Sequence, residues 1–248
     1  MLRGTGTVLN MAAILVGSGL GVALGSRLPE RTRVTVTDAL GLVTLVIGGL
    51  NLGALADEDF RRAVGASGTV LIVLGALLLG GITGSLLSLE ARLERTGGWL
   101  QRRLTRSEAG PARARFVEGY VSASLVFVIG PLAVLGALSD GLGRGIEQLA
   151  LKSTLDGFAS LAFAASLGWG VAAAALSVGV VQGLLTLLGA LLGGLLPAST
   201  VAAITATGGV LLLGVGLRLL AVKAVAVGDL LPALIVAPAL TALVDVLR

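Results

Sequence analysis

Apolar stretches of about 20 residues, the length that crosses the hydrocarbon core of a bilayer, recur from one end of this chain to the other. Backbone amides in lipid find no water, so a spanning stretch has to close its own hydrogen bonds, and segments this long do so as helices. The chain is 55% hydrophobic and only 13% charged, where a soluble domain of similar length carries about twice that charge. The expected fold is therefore an all-α polytopic membrane protein, a single transmembrane domain over residues 1–248 with about eight transmembrane helices. Their bounds fall near 6–25, 36–56, 66–89, 116–138, 147–168, 170–195, 201–222 and 229–247, with only Gly168-Trp169-Gly170 between the fifth and the sixth.

The basic residues orient these spans. If the loops after spans one, three and seven share a side, that side holds 12 of the 18 Lys and Arg residues and the other side 6. The positive-inside rule makes the Arg-rich side cytoplasmic and leaves both termini outside. The net charge of +4 then serves topology and gives no reason to expect nucleic acid as a partner. The one substantial polar stretch is the cytoplasmic segment 90–115. Leu89, Leu93, Trp99, Leu100 and Leu104 read as the apolar side of a basic amphipathic helix on the headgroups, interrupted at Gly97-Gly98 and followed by a linker from Ser107 to Pro111.

The first span resembles a secretory signal peptide at Ala23-Leu24-Gly25, but it has a partner later in the chain. At an offset of 168, Gly21, Leu24, Gly25, Leu28, Pro29, Thr32, Thr37, Gly41 and Leu45 meet Gly189, Leu192, Gly193, Leu196, Pro197, Thr200, Thr205, Gly209 and Leu213. Spans one and two thus match spans six and seven, and the odd number of crossings between them makes the repeat inverted. Inverted repeats place a binding site at a pseudo-two-fold axis near the bilayer midplane. Small residues four apart (Gly17, Gly21 and Gly25; Ala76, Gly80, Gly84 and Ser88; Gly189 and Gly193) predict close helix packing and a homo-oligomer, such as a homodimer.

A second repeat carries chemistry. Glu118-Gly119-Tyr120-Val121-Ser122 returns as Asp156-Gly157-Phe158-Ala159-Ser160, and each copy runs the same distance to a glycine, Gly130 and Gly168. Carboxylates inside a bilayer are expensive and are usually kept for transport or coupling. Glu118, Ser122, Asp156 and Ser160 are the candidate ion- or substrate-binding residues, on the expectation that the two inverted copies converge. Hard oxygen ligands favour protons, Na⁺, Mg²⁺, Ca²⁺ or Mn²⁺, with Glu118 and Asp156 as metal ligands if a metal binds. Gly130-Pro131 breaks the fourth span, and Gly168-Trp169-Gly170 is either a matching break or an ordinary interhelical turn. Supporting residues are Gly119, Gly157, Gly130, Pro131, Lys152, Asn10 and Gln182, with Asn51, Ser124, Asp140, Ser166 and Thr207 as further polar candidates. Lys152 stands one turn before Asp156, so a structural ion pair is the rival reading of that acid.

The chain has no cysteine and no histidine, which removes disulfides, thiolate chemistry, Cys/His metal sites and Ser-His catalysis. No phosphate-binding loop is present, and no enzyme activity and no organic cofactor are expected.

The stretches FVEGYVSASLVFVIGPLAVLGALSDG, KSTLDGFASLAFAASLG, TATGGVLLLGVGLRLL and VGDLLPALIVAP, with GTVLN, RLPER and DALGLVTLVIGGL near the start, resemble the bacterial membrane family called domain of unknown function 554. The resemblance implies a multi-pass protein of the bacterial inner membrane, of a kind commonly labelled a transporter, without an established substrate. The Asp-Gly-Phe motif is similar by analogy to exporters of the lysine-exporter type. The function expected is a transporter or channel for a small cation or protons. The alternatives are a proton-coupled exporter of a small metabolite such as an amino acid, and a membrane scaffold that transports nothing.

Overall fold

The computed structural model describes residues 2–104, 110–129, 131–192 and 196–247. Among them the secondary structure is helical: α1 (Thr5–Gly25), α2 (Glu30–Asn51), α3 (Glu58–Val64), α4 (Gly68–Leu86), α5 (Leu89–Leu104), α6 (Pro111–Val128), α7 (Pro131–Gly141), α8 (Glu147–Leu167), α9 (Gly170–Leu192), α10 (Ala198–Leu219), α11 (Val227–Leu230) and α12 (Ala233–Leu247). By length and apolarity six helical stretches can cross a membrane, and a seventh if the bent pair α6–α7 is one span. The expected eight spans are fewer by this measure because α8, long enough at 21 residues, carries Glu147, Lys152 and Asp156 in its sequence.

The break expected at Gly130-Pro131 is present. α6 stops at Val128, α7 starts at Pro131, and the two axes differ by 65°, as a proline that removes a donor and clashes with the preceding turn requires. Gly130 itself lies outside the described residues, as do Gly193 and residues 107–109 of the expected linker. The interruption expected at Gly97-Gly98 does not occur. α5 runs through both glycines, which are buried, and Gly97 leaves room for the Tyr120 ring. Trp99 stays half exposed under the Arg103 guanidinium, 5.8 Å from the ring centroid.

The chain divides into two compact units. The first comprises residues 1–40, 93–128 and 132–195. It is built on α1 packed along α8, and on α9 packed against both α1 and α6. The second comprises 41–92, 129–131 and 196–248 and surrounds α10, 72% of whose spanning window is buried. There Phe60 of α3 fills a core with Ile72, Ala76, Ala203, Ala233 and Ala237. Asp57, from the acidic tract after α2, caps α3 by accepting from the Phe60 N–H at 3.0 Å.

Both units bear out the small-residue stripes. A Cβ on Gly17, Gly21 or Gly25 would collide with the carbonyls of Gly157, Leu161 and Ala165 on α8. The rising numbers on both helices show that α1 and α8 run parallel. Gly80 and Gly84 meet the backbone of Ala233 and Asp229 in the same way. These stripes are filled within the chain, so they do not by themselves argue for a dimer. Ser88 falls outside the α4 stripe, with a positive φ of 51° in the α4–α5 turn.

The inverted repeat is visible in the helix directions. α2 and α10 have 22 residues each, begin 168 residues apart and run antiparallel, with Gly41 near Leu220 and Gly48 near Gly209. α1 and α9 are antiparallel as well, because Met11 meets Gly179 while Thr7 meets Thr186. Since α8 parallels α1, α8 and α9 are an antiparallel hairpin. Gly168-Trp169-Gly170 is therefore an interhelical turn, with Gly168 at φ 79°, and not a matching break within one span.

Candidate functional site

Asp156 sits in the interior of α8 and exposes 7% of its surface. A carboxylate there needs a counter-charge, since an unpaired ion in a low dielectric costs several kcal/mol. Lys152, one turn earlier and equally buried, pairs with Asp156 through Nζ. Asn10 of α1 donates Nδ2 to the same Oδ2 at 3.0 Å. The glycine stripe makes this reach possible: it brings the α1 backbone against α8, and Asn10 lies two turns before Gly17 on the stripe's side.

A third helix closes the site. Met11 occupies the space at Gly179, and Thr7 and Thr186 share a hydroxyl–hydroxyl bond of 3.4 Å. Gln182 lies between Gly179 and Thr186 on the same face of α9, which brings it level with Asn10. It is 1% exposed. Among the described residues neither Gln182 Nε2 nor Oε1 has a hydrogen-bond partner, and neither does Asn10 Oδ1 or, two turns further along α1, Ser18 Oγ. A buried polar atom left unpaired costs about 1–3 kcal/mol, and a native protein that keeps several together commonly serves water or an ion with them.

Asp140 is the other buried acid among the described residues of this unit, and its task is visible. Oδ1 and Oδ2 accept from the Gly4 and Gly6 N–H groups at 3.0 Å each, satisfying donors that the first turn of α1 cannot. A file of polar groups thus runs between α1, α8 and α9, from Asp140 past Thr7 and Thr186 to Asn10, Asp156, Lys152 and Gln182, then to Ser18. Thr7, Ser18 and Thr186 were not singled out by sequence reasoning. The available signal was their helical spacing from Asn10 and Gln182.

The Glu118 copy of the motif lies elsewhere in the unit. α6 runs parallel to α9, with Ser124 donating to Ser177 at 3.1 Å and Gly119 against Leu167 and Val171. This register sets the half-buried Glu118 beside the α8–α9 turn. Leu167 is about three turns from Asp156 along α8, roughly 16 Å. The expected convergence of the two acids is not formed, because α6 takes its register from α9 near the turn while α8 takes its own from α1. Their direction does agree with an inverted repeat: α6 and α8 are antiparallel.

The hydroxyls differ too. Ser122 donates to Glu118 Oε1 at 2.9 Å, whereas Ser160 donates to the Gly157 carbonyl at 2.9 Å and faces Gly17. Tyr120 is buried and its hydroxyl accepts from Ser177 at 2.9 Å, while Phe158 is 73% exposed. Of the supporting residues, Asn10 and Lys152 contact Asp156 directly. Gln182 lines the same file, Gly157 contacts α1, Gly119 contacts the α8–α9 turn, and Pro131 opens α7. Among the described residues no group of three His, Cys, Asp or Glu side chains is placed to hold a metal ion.

The family described as "Protein of unknown function (DUF554)" matches residues 5–242. The chain belongs to this family. It is 34% identical over 237 residues to "Uncharacterized protein YqgA" of Escherichia coli (strain K12), covering 96% of each chain. It is 27% identical over 233 residues to "Uncharacterized membrane protein YdfK" of Bacillus subtilis (strain 168), covering 94% of this chain and 93% of that one. No solved structure matches it. Its apolar helices and its membrane-protein relative identify this DUF554 chain as a multi-pass membrane protein.

Proposed function

We propose that the protein is a transporter or channel of the bacterial inner membrane for protons or a small monovalent cation, with Asp156 as the carrier group. The observation behind this reading is the set of unpartnered buried atoms, Gln182 Nε2 and Oε1 and Asn10 Oδ1, level with a buried acid in a membrane-spanning bundle. Together with Asp156 they offer amide and carboxylate oxygens to an entering ion. Lys152 supplies the charge that neutralises the acid when no ion is present. An entering proton or monovalent cation takes the place of the ammonium on Asp156 as Lys152 releases a proton, so the buried site stays neutral and holds neither a bare carboxylate nor a bare ammonium. Divalent ions such as Mg²⁺ or Ca²⁺ fit less well, since they draw on several hard oxygen ligands at once and the two motif acids stand apart. Both termini outside and the Arg-rich loops in the cytoplasm complete the proposal.

The test is flux in reconstituted vesicles, with internal pH, Na⁺ and K⁺ followed under imposed gradients. Asp156→Asn is expected to reduce the flux at least tenfold, while Glu118→Gln leaves most of it. Wild-type vesicles that pass none of these ions while holding folded protein would sink the proposal. The self-contained Lys152–Asp156 pair favours a second reading, a scaffold whose ion pair only holds α8 in place. That reading requires no flux and a stability loss in either single variant. Exchange of protons for an added amino acid would identify the exporter alternative instead.

A further inference from the structure

Two hollows in the first unit share a wall. One, of about 320 Å³, opens where α1 and α8 end and α6 begins, and is lined by Ser26, Gln101 and Arg115 together with Phe116 and Trp169. The other, of about 560 Å³, is almost wholly apolar and follows α9 and α1, lined by Ala172, Leu176, Met11 and Leu15 and again by Phe116 and Trp169. The polar end has a positive charge in its lining and no acid. Arg115 is half-buried and held in place by Nε donating to the Ser166 carbonyl at 2.8 Å. The guanidinium of Arg113 and that of Arg102 stand beside Gly98 nearby. From Ser26 to Met11 along α1 the two hollows cover roughly 22 Å, more than the depth of one leaflet, about 15 Å. Trp169 is half exposed between the two, where an indole suits the boundary of headgroup and hydrocarbon.

We propose that an anionic phospholipid of the leaflet on the Arg-rich side binds here, its phosphate against Arg115 and one acyl chain in the groove along α9 past Trp169. A basic pocket between transmembrane helices that continues into an apolar groove matches both parts of such a molecule. The proposal does not depend on ion transport, since neither hollow is lined by Asn10, Lys152, Asp156 or Gln182.

The test is native mass spectrometry of the detergent-released protein, with thermal unfolding in parallel, after adding phosphatidylglycerol, phosphatidylcholine or inorganic phosphate. The expected result is one phosphatidylglycerol retained per chain, at least tenfold over phosphatidylcholine, with a rise in unfolding temperature that inorganic phosphate does not give. Arg115→Gln should bring the two lipids to parity. Because Arg115 also bonds Ser166, Ala172→Phe, which fills the groove away from the charge, is the companion variant and should abolish retention in folded protein. Equal retention of both lipids, an equal shift from inorganic phosphate, or phosphatidylglycerol retention unchanged in Ala172→Phe would each overturn the proposal.

Discussion

The Glu118 and Asp156 segments share a five-residue pattern and occupy different chemical worlds. Asp156 is compensated within the fold by Lys152 and Asn10, and its aromatic neighbour Phe158 is exposed. Glu118 is half-buried and accepts from Ser122 of its own helix, and its aromatic neighbour Tyr120 is buried against Ser177. The difference comes from the partner helix. α8 meets α1 along a glycine stripe from Gly17 to Gly25, and the contact brings Asn10 to the acid. α6 meets α9 near the α8–α9 turn, where the contact surface is Leu167 and Val171. A motif fixes which groups a helix carries, and the register of packing decides what those groups face.

Substitutions can break this contrast. The largest effect is expected from Gly21→Leu, since a side chain there has to displace the α8 backbone at Leu161. Overpacking against backbone costs more than the roughly 1–3 kcal/mol typical of side-chain clashes, and no detergent-stable monodisperse protein should be recovered in size-exclusion chromatography. Asp156→Ala strands the Lys152 ammonium and should cost about 3–5 kcal/mol in reversible unfolding. The double variant Lys152→Met/Asp156→Leu should recover most of that loss, and Glu118→Gln should cost under about 1 kcal/mol by the same measurement. An equal cost for the two acids would erase the distinction drawn between them.

Asn10→Leu removes a bond to a charged group and should cost about 1–3 kcal/mol. A stabilised Asn10→Leu protein would show that its carboxamide has no structural share in holding Asp156. The smallest pair sharpens the aromatic contrast: Tyr120→Phe should lose about 1 kcal/mol with its hydroxyl bond, and Phe158→Leu, in lipid, should lower the unfolding temperature by less than Tyr120→Phe does.

Much of this was legible in the sequence, and for physical reasons. Helix length, the proline break at Pro131 and the stripes at Gly17 and Gly80 depend on local chemistry that the residues state directly. The Lys152–Asp156 pair was equally readable, because both members sit one turn apart on one helix. What could not be read was register between distant helices. That Asn10 lands on Asp156, and that Glu118 ends about three turns away, follows from which glycine meets which carbonyl 140 residues on. Gly168 shows a milder limit: the same Gly-Trp-Gly suits a kink or a turn, and only the antiparallel course of α8 and α9 decides. Gly97-Gly98 failed as a breaker because α5 uses the missing side chains to admit Tyr120 and the neighbouring arginines.

The pairing of α1 with α8 also has a consequence in time. Gly17 and the Gly157 carbonyl it abuts are separated by most of the chain, so a ribosome adding about 5–20 residues per second delivers α8 on the order of ten seconds after α1. During that interval α1 has its bare stripe and Asn10 turned toward lipid or toward a passing assistant, with the carboxylate meant for them not yet made. Biogenesis of this protein should accordingly depend on whatever shelters α1 while it waits, and a chain cut before α8 should be degraded even though its first helices are apolar enough to insert.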